Sequence, residues 1–219
     1  MVQFDPELTE MIFFDLEFYV PKVDRNKLGA SLLANPHKQD HFLLGGVFYR
    51  DFPLKKGGRN PHFEHYWIWK MDNEKAVLAA IYSFFKNSWN LLRNKDPQQA
   101  DLITTGIGIS RFDIPILYIR SLNQNIATPA ELFECYFKTK QVDFTNVGIT
   151  FFNKGVNILY PKTANQLMRR FGIQKEKTTG MSIWDMYDNN EFQNIENRTE
   201  SEVRDAIQIY KKMQKQLFR

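Results

Sequence analysis

The chain has 219 residues, a formal net charge of +4 and a single cysteine, Cys135. That length suits one domain over 1–219, and a lone cysteine excludes an intramolecular disulfide or a cysteine-rich metal site, which makes a reducing cytoplasmic setting the expectation. Hydrophobic residues at 43% exclude a disordered chain, while no apolar run is long enough to span a bilayer and no secretory signal opens the text.

In chain order, Met11 to Val20 (MIFFDLEFYV) is apolar and β-prone and is bounded by Pro21, so it reads as a strand buried on at least one face. Lys22 to Pro36 is polar and irregular and reads as a loop. Phe42–Phe48 and Phe63–Trp69 read as two further strands, with a Gly-rich turn near Lys55–Arg59, and the three form the antiparallel part of a sheet. Asp72 or Asn73 then caps a helix whose apolar residues Val77, Ala80, Ile81, Phe84 and Phe85 follow helical spacing. Asp101–Ser110 reads as a fourth strand, followed by a helix from about Ile114 with Pro115 in its first turn. Thr163–Phe171 is a short helix stopped by Gly172, Ser182–Asn189 is another, and a long helix runs from about Thr199 to Leu217. Strands, a helix, a strand and then helices point to an α/β fold, a mixed sheet with helices packed on it.

Three places hold acids that such elements do not need. Asp15 and Glu17 lie two apart in an extended run, so both project from one face, about 6–7 Å apart along the strand. Carboxylates on an otherwise apolar strand repel each other and lose hydration, and a cation between them relieves both penalties; a strand end that reaches solvent, where acids cost little, is their ordinary alternative. Asp113 lies just past the fourth strand, at a strand-to-helix turn where ligands of α/β sheets bind; a helix N-cap is its ordinary alternative. Asp205 lies beside the apolar stripe of the last helix, where it borders either a cleft or solvent.

Taken together, the segments Phe14-Asp-Leu-Glu-Phe18, Gly108-Ile-Ser-Arg-Phe-Asp-Ile-Pro-Ile-Leu117 and Glu202-Val-Arg-Asp-Ala206 are similar to the three motifs of the DEDD 3′–5′ exonucleases, of the kind found as proofreading domains of family-B DNA polymerases. Val142-Asp-Phe144, Leu167–Ile173 and Ile183-Trp184 extend the likeness, which runs from about Phe13 to Met213. The resemblance implies a ribonuclease H-like mixed β-sheet flanked by helices. It also implies two Mg²⁺ or Mn²⁺ ions about 4 Å apart that clamp the attacking and leaving oxygens of a phosphodiester. By the same resemblance Asp15 bridges both ions, Glu17 and Asp205 hold the one that activates water, and Asp113 supports the other through its water shell.

Two departures mark the sequence. The second motif lacks the family's Asn, and the family's water-orienting Tyr or His, four or five residues before the last Asp, is replaced by Ser201 and Glu200. Glu200 is suited to accept a proton or bind metal and Ser201 to hold a water; a Tyr or His reaching in from elsewhere is the other solution. Phe18, Tyr19 and Phe112 are the candidates for stacking on terminal bases. Basic clusters at Lys55–Arg59, Lys138/Lys140, Arg169/Arg170 and Lys175/Lys177 are candidates for the phosphate backbone. His37/His41 and His62/His65 have metal-like spacing but no cysteine beside them, so they read as ordinary histidines. The expected partner is nucleic acid, DNA or RNA, at single-stranded 3′ ends. The rival readings are an inactive nucleic-acid-binding module of the same fold and a phosphodiesterase of small nucleotides.

Overall fold

A computed structural model describes residues 8–25, 34–51, 62–94, 101–152, 163–173 and 181–217. The expected turn at Lys55–Arg59 and the Lys175/Lys177 cluster lie outside the described residues. Five strands form one sheet: β1 (Thr9–Tyr19), β2 (Phe42–Asp51), β3 (His62–Trp67), β4 (Asp101–Gly106) and β5 (Lys140–Asp143). Their order is β3-β2-β1-β4-β5, with the β1–β2 and β2–β3 pairs antiparallel and β1–β4 and β4–β5 parallel. The helices are α1 (Glu74–Arg93), α2 (Asp113–Asn123), α3 (Pro129–Tyr136), α4 (Phe144–Phe152), α5 (Ala164–Arg170), α6 (Ser182–Asp188) and α7 (Phe192–Leu217).

Period-two alternation divides β1 between two layers. Phe14 stacks on Phe48 with ring centroids 5.5 Å apart and meets Phe85 of α1 edge-on at 6.0 Å. Phe13, on the opposite face, packs against Tyr49 and against Tyr210 of α7. Helix α1 therefore covers one face of the sheet centre and α7 the other. The N-cap of α1 is Asn73, whose side chain accepts from the Ala76 amide.

Several elements depart from the sequence expectation. The fourth strand stops at Gly106 because Gly108 turns with φ +85° and its amide, like that of Ser110, is taken by the Asp143 carboxylate instead of a neighbouring strand. Helix α3, strand β5 and helix α4 lie where the sequence reading placed no element. Helix α3 carries a full capping box between Thr128 and Glu131, with Pro129 in its first turn. The last helix begins at Phe192, seven residues before Thr199. The segment after β1 holds a short 3-10 turn, Lys22–Asp24, which is tied to the following loop. There Asp24 takes His41 Nε2 at 2.7 Å and also pairs with Lys38.

Candidate metal centre

The centre of the sheet is where β1 faces α7. Asp15 pairs in register with Val47 and, through it, with His65 of β3; Glu17 pairs with Gly45. Gly45 has φ +140°, and a Cβ there would lie 1.9 Å from the Tyr66 carbonyl oxygen. Only glycine fits that backbone, because Tyr66 and Trp67 of β3 already occupy the place a side chain would take. The register of β1 shifts between Glu17 and Phe18, a bulge of the kind that re-aims side chains next to functional sites.

Helix α7 meets Glu17 with polar groups. Ile195, Thr199, Glu202, Ala206, Ile209 and Met213 recur three and four apart and all are buried, so Glu202 is a carboxylate set into an otherwise core-facing stripe. Asp15, Glu17 and Glu202 each bring one oxygen within 4.8 Å of the others. At an effective dielectric of about 20, each such pair costs roughly 3 kcal/mol or more in repulsion. Cations offset it. Arg198 Nη1 donates to Glu17 Oε1 at 2.8 Å, and its Nη2 lies 2.9 Å from Glu202 Oε1. The Thr199 hydroxyl lies 2.9 Å from both Glu17 Oε1 and the Ile195 carbonyl oxygen, with one proton to share between them.

The donor set fits a hard divalent cation. Three carboxylate oxygens converge within 4.8 Å of one another with no thiol among them, the kind of oxygen set that a hard divalent cation takes. Asp205, buried on α7 three residues after Glu202, is its neighbour on the helix surface. Asp113 is buried in the first turn of α2, where the N-cap is Phe112 and makes no side-chain cap bond. Neither Asp113 nor Asp205 joins the trio within 4.8 Å. Asp15 and Glu17 are thus brought together with Glu202, a residue to which the sequence reading gave no role.

Glu200 points elsewhere on α7. Its carboxylate lies 3.3 Å from His65 Nε2 and accepts from Arg204 at 2.8 and 2.5 Å. Arg204 in turn sits over the Phe63 ring. A histidine does reach this region from β3, two strands from Asp15. Ser201 is half-buried beside these groups on α7. Phe18 is 4% exposed, and its ring meets the half-buried Phe112 edge-on at 6.3 Å. The Phe18 carbonyl accepts from Trp184 Nε1 at 2.8 Å. Tyr19 packs between Phe42 and Tyr187 and donates to Asp188 at 2.7 Å; burial and that bond push its hydroxyl pKa up. Lys138 pairs with Glu134, and Lys140 with Asp101 at 2.6 Å, while Arg169 and Arg170 are exposed on α5.

Asp143 holds the approach to Asp113. It is 2% exposed and accepts from the Gly108, Ser110 and Thr145 amides and from the Ser110 and Thr145 hydroxyls. Burial works against its charge, yet these hydrogen bonds outweigh burial and hold the carboxyl below the ordinary range. The loop between β4 and α2 is thereby fixed by a buried anion.

In comparison with known proteins, no family model and no curated protein matches this sequence. Among solved structures, the chain is similar to the family B DNA polymerase from the hyperthermophilic archaeon Pyrobaculum calidifontis, with a TM-score of 0.57 and 14% identity over 93% of this chain. The fold is ribonuclease H-like. The chain spans about a quarter of that polymerase, 24% of its length. At that identity the likeness speaks for this α/β architecture, and the chemistry rests on the residues above.

Proposed function

We propose that this chain is a metal-dependent 3′–5′ exonuclease that removes nucleoside monophosphates from single-stranded ends of DNA or RNA. The observation that carries the reading is the approach of Asp15, Glu17 and Glu202 to within 4.8 Å of one another in a ribonuclease H-like fold. The similar solved structure is itself a DNA polymerase, which supports nucleic acid as the partner.

In this reading Asp15 and Glu17 from β1 and Glu202 from α7, with Asp205 one turn along, hold Mg²⁺ or Mn²⁺. Asp113, in the first turn of α2 just after the loop fixed by Asp143, completes a second position. Divalent ions bound there supply an activated water and a clamp on the phosphodiester oxygens. The chain's own residues do the positioning. Thr199 steers the Glu17 carboxylate, and, in the absence of a Tyr or His four or five residues before Asp205, the His65–Glu200 pair of β3 and α7 is the proton acceptor this reading assigns. Phe112 and Tyr19 border the site as surfaces for a terminal base.

The test uses 5′-labelled single-stranded DNA and RNA oligomers with Mg²⁺, Mn²⁺ or EDTA, alongside Asp15→Ala/Glu17→Ala. A metal-dependent ladder shortening from the 3′ end is expected. The variant should lose about a hundredfold or more in rate, close to 3 kcal/mol of barrier. Intact oligomers under every condition would overturn the reading. One observation favours a second one. Arg198 already offsets part of the charge of Glu17 and Glu202 as a protein cation, which suits a module that binds strands without cutting them and retains oligomers in the same assay.

A further inference from the structure

Arg198 is the residue the site's chemistry leaves over. Its side chain is 13% exposed, and its two terminal nitrogens lie 2.8 and 2.9 Å from Glu17 Oε1 and Glu202 Oε1, one on each of two acids in the trio. A guanidinium is planar, permanently charged and able to span two carboxylates at once. Its grip is on two of the three acids that a divalent cation would need.

The two cations exclude each other. A divalent ion held by the same acids meets strong like-charge repulsion from the guanidinium at the low effective dielectric of a largely buried site. Arg198 also lies one helical turn before Glu202, on the same face of α7, so its long side chain can swing away while the helix and Thr199 stay in place. We propose that Arg198 is a built-in counter-cation that competes with the divalent metal for Glu17 and Glu202, so that metal binding requires release of this latch. The proposal rests on the metal-dependent reading above and concerns how that site is regulated. It also gives the acid cluster a counter-charge when no metal is bound. Arg198 shields the carboxylates until a stronger cation takes them.

Mn²⁺ binding to the full chain, followed by the electron-spin signal of free Mn²⁺ at fixed ionic strength, tests it. Arg198→Gln should bind Mn²⁺ about tenfold or more tightly than the parent, and Arg198→Lys about threefold, because an ammonium cannot bridge both acids. Arg204→Gln removes an equal charge from the same helix but from the Glu200 side, and should change affinity less than threefold. Thermal unfolding in EDTA should show Arg198→Gln less stable than the parent, with Mn²⁺ raising its midpoint by more. Equal Mn²⁺ affinity in the parent and both Arg198 variants would overturn the latch while leaving the metal site standing. An equal gain in Arg204→Gln would overturn it too, by assigning the effect to bulk charge. Failure of every form to bind Mn²⁺ would overturn both the latch and the exonuclease reading. Should Arg198→Gln not fold, the Lys variant decides alone, and unchanged affinity there sinks the proposal.

Discussion

The two faces of β1 share one backbone and carry opposite chemistry. Toward α1, Phe14 joins Phe48, Phe84 and Phe85 in a cluster of rings at 5–6 Å, with every member buried. Toward α7, the same strand presents Phe13, then Asp15, then Glu17, and the helix answers the acids with Thr199, Glu202 and Arg198. Burial on the first face lowers the free energy of folding at every ring. Burial on the second works against it and has to be offset by hydrogen bonds and counter-charge. One strand thus separates what holds the molecule together from what it has to offer a ligand.

Substitutions on either face can break that contrast. The largest effect is expected from Phe48→Ala, which empties the ring cluster and should lower unfolding free energy by about 3–5 kcal/mol in urea titrations; a loss under 1 kcal/mol would show that the α1 face is not the stabilising one. Next comes Asp143→Asn, at the anion that fixes the loop before α2, with an expected loss of about 2 kcal/mol at neutral pH. Folding depresses this carboxyl below its ordinary value of 3.8. Its stabilisation is therefore complete above that value and is lost as pH falls through the depressed one, where the unfolded chain binds the proton first. The gap between parent and Asp143→Asn should narrow on acidification below about pH 4, and a constant gap would assign the loss to packing instead. The smallest effect is expected from Asp15→Asn. Relieving one repulsion should leave thermal stability unchanged or raise it by up to about 1 kcal/mol, as functional acids do when neutralised. A clear drop in midpoint would place Asp15 with the structural residues.

What was legible in the sequence follows the range of the forces involved. Strands β1 to β3 and helix α1 are marked by long apolar runs and a local cap, so they stand out in the text. Strand β5 has four residues, Lys140–Asp143, and forms because β4 offers a parallel partner, which no local pattern announces. Helix α3 did carry a readable signal in Thr128-Pro129 and Glu131. The first turns of α7 are polar, so the apolar stripe alone started that helix too late. At the site, alternation was enough to pair Asp15 with Glu17. Glu202 stands three residues from Asp205, and which of the two reaches the trio depends on the rotation of α7 against the sheet. Glu202 replacing an apolar residue in a three-four spaced stripe was the available clue. Arg198 and His65 carry no comparable mark, since their roles arise only from contacts across the fold.

The bond from Arg198 to Glu17 joins residues 181 positions apart in sequence. At a synthesis rate of about 5–20 residues per second, β1 leaves the ribosome on the order of 10–40 s before its counterpart on α7. Once α1 has emerged, part-way through that interval, the ring face of β1 can dock on β2 and α1, whereas Asp15 and Glu17 remain in water as two ordinary surface acids. The carboxylate trio is therefore a late product of folding, assembled when α7 closes on the sheet, and the earlier nascent chain carries no ready-made cation trap.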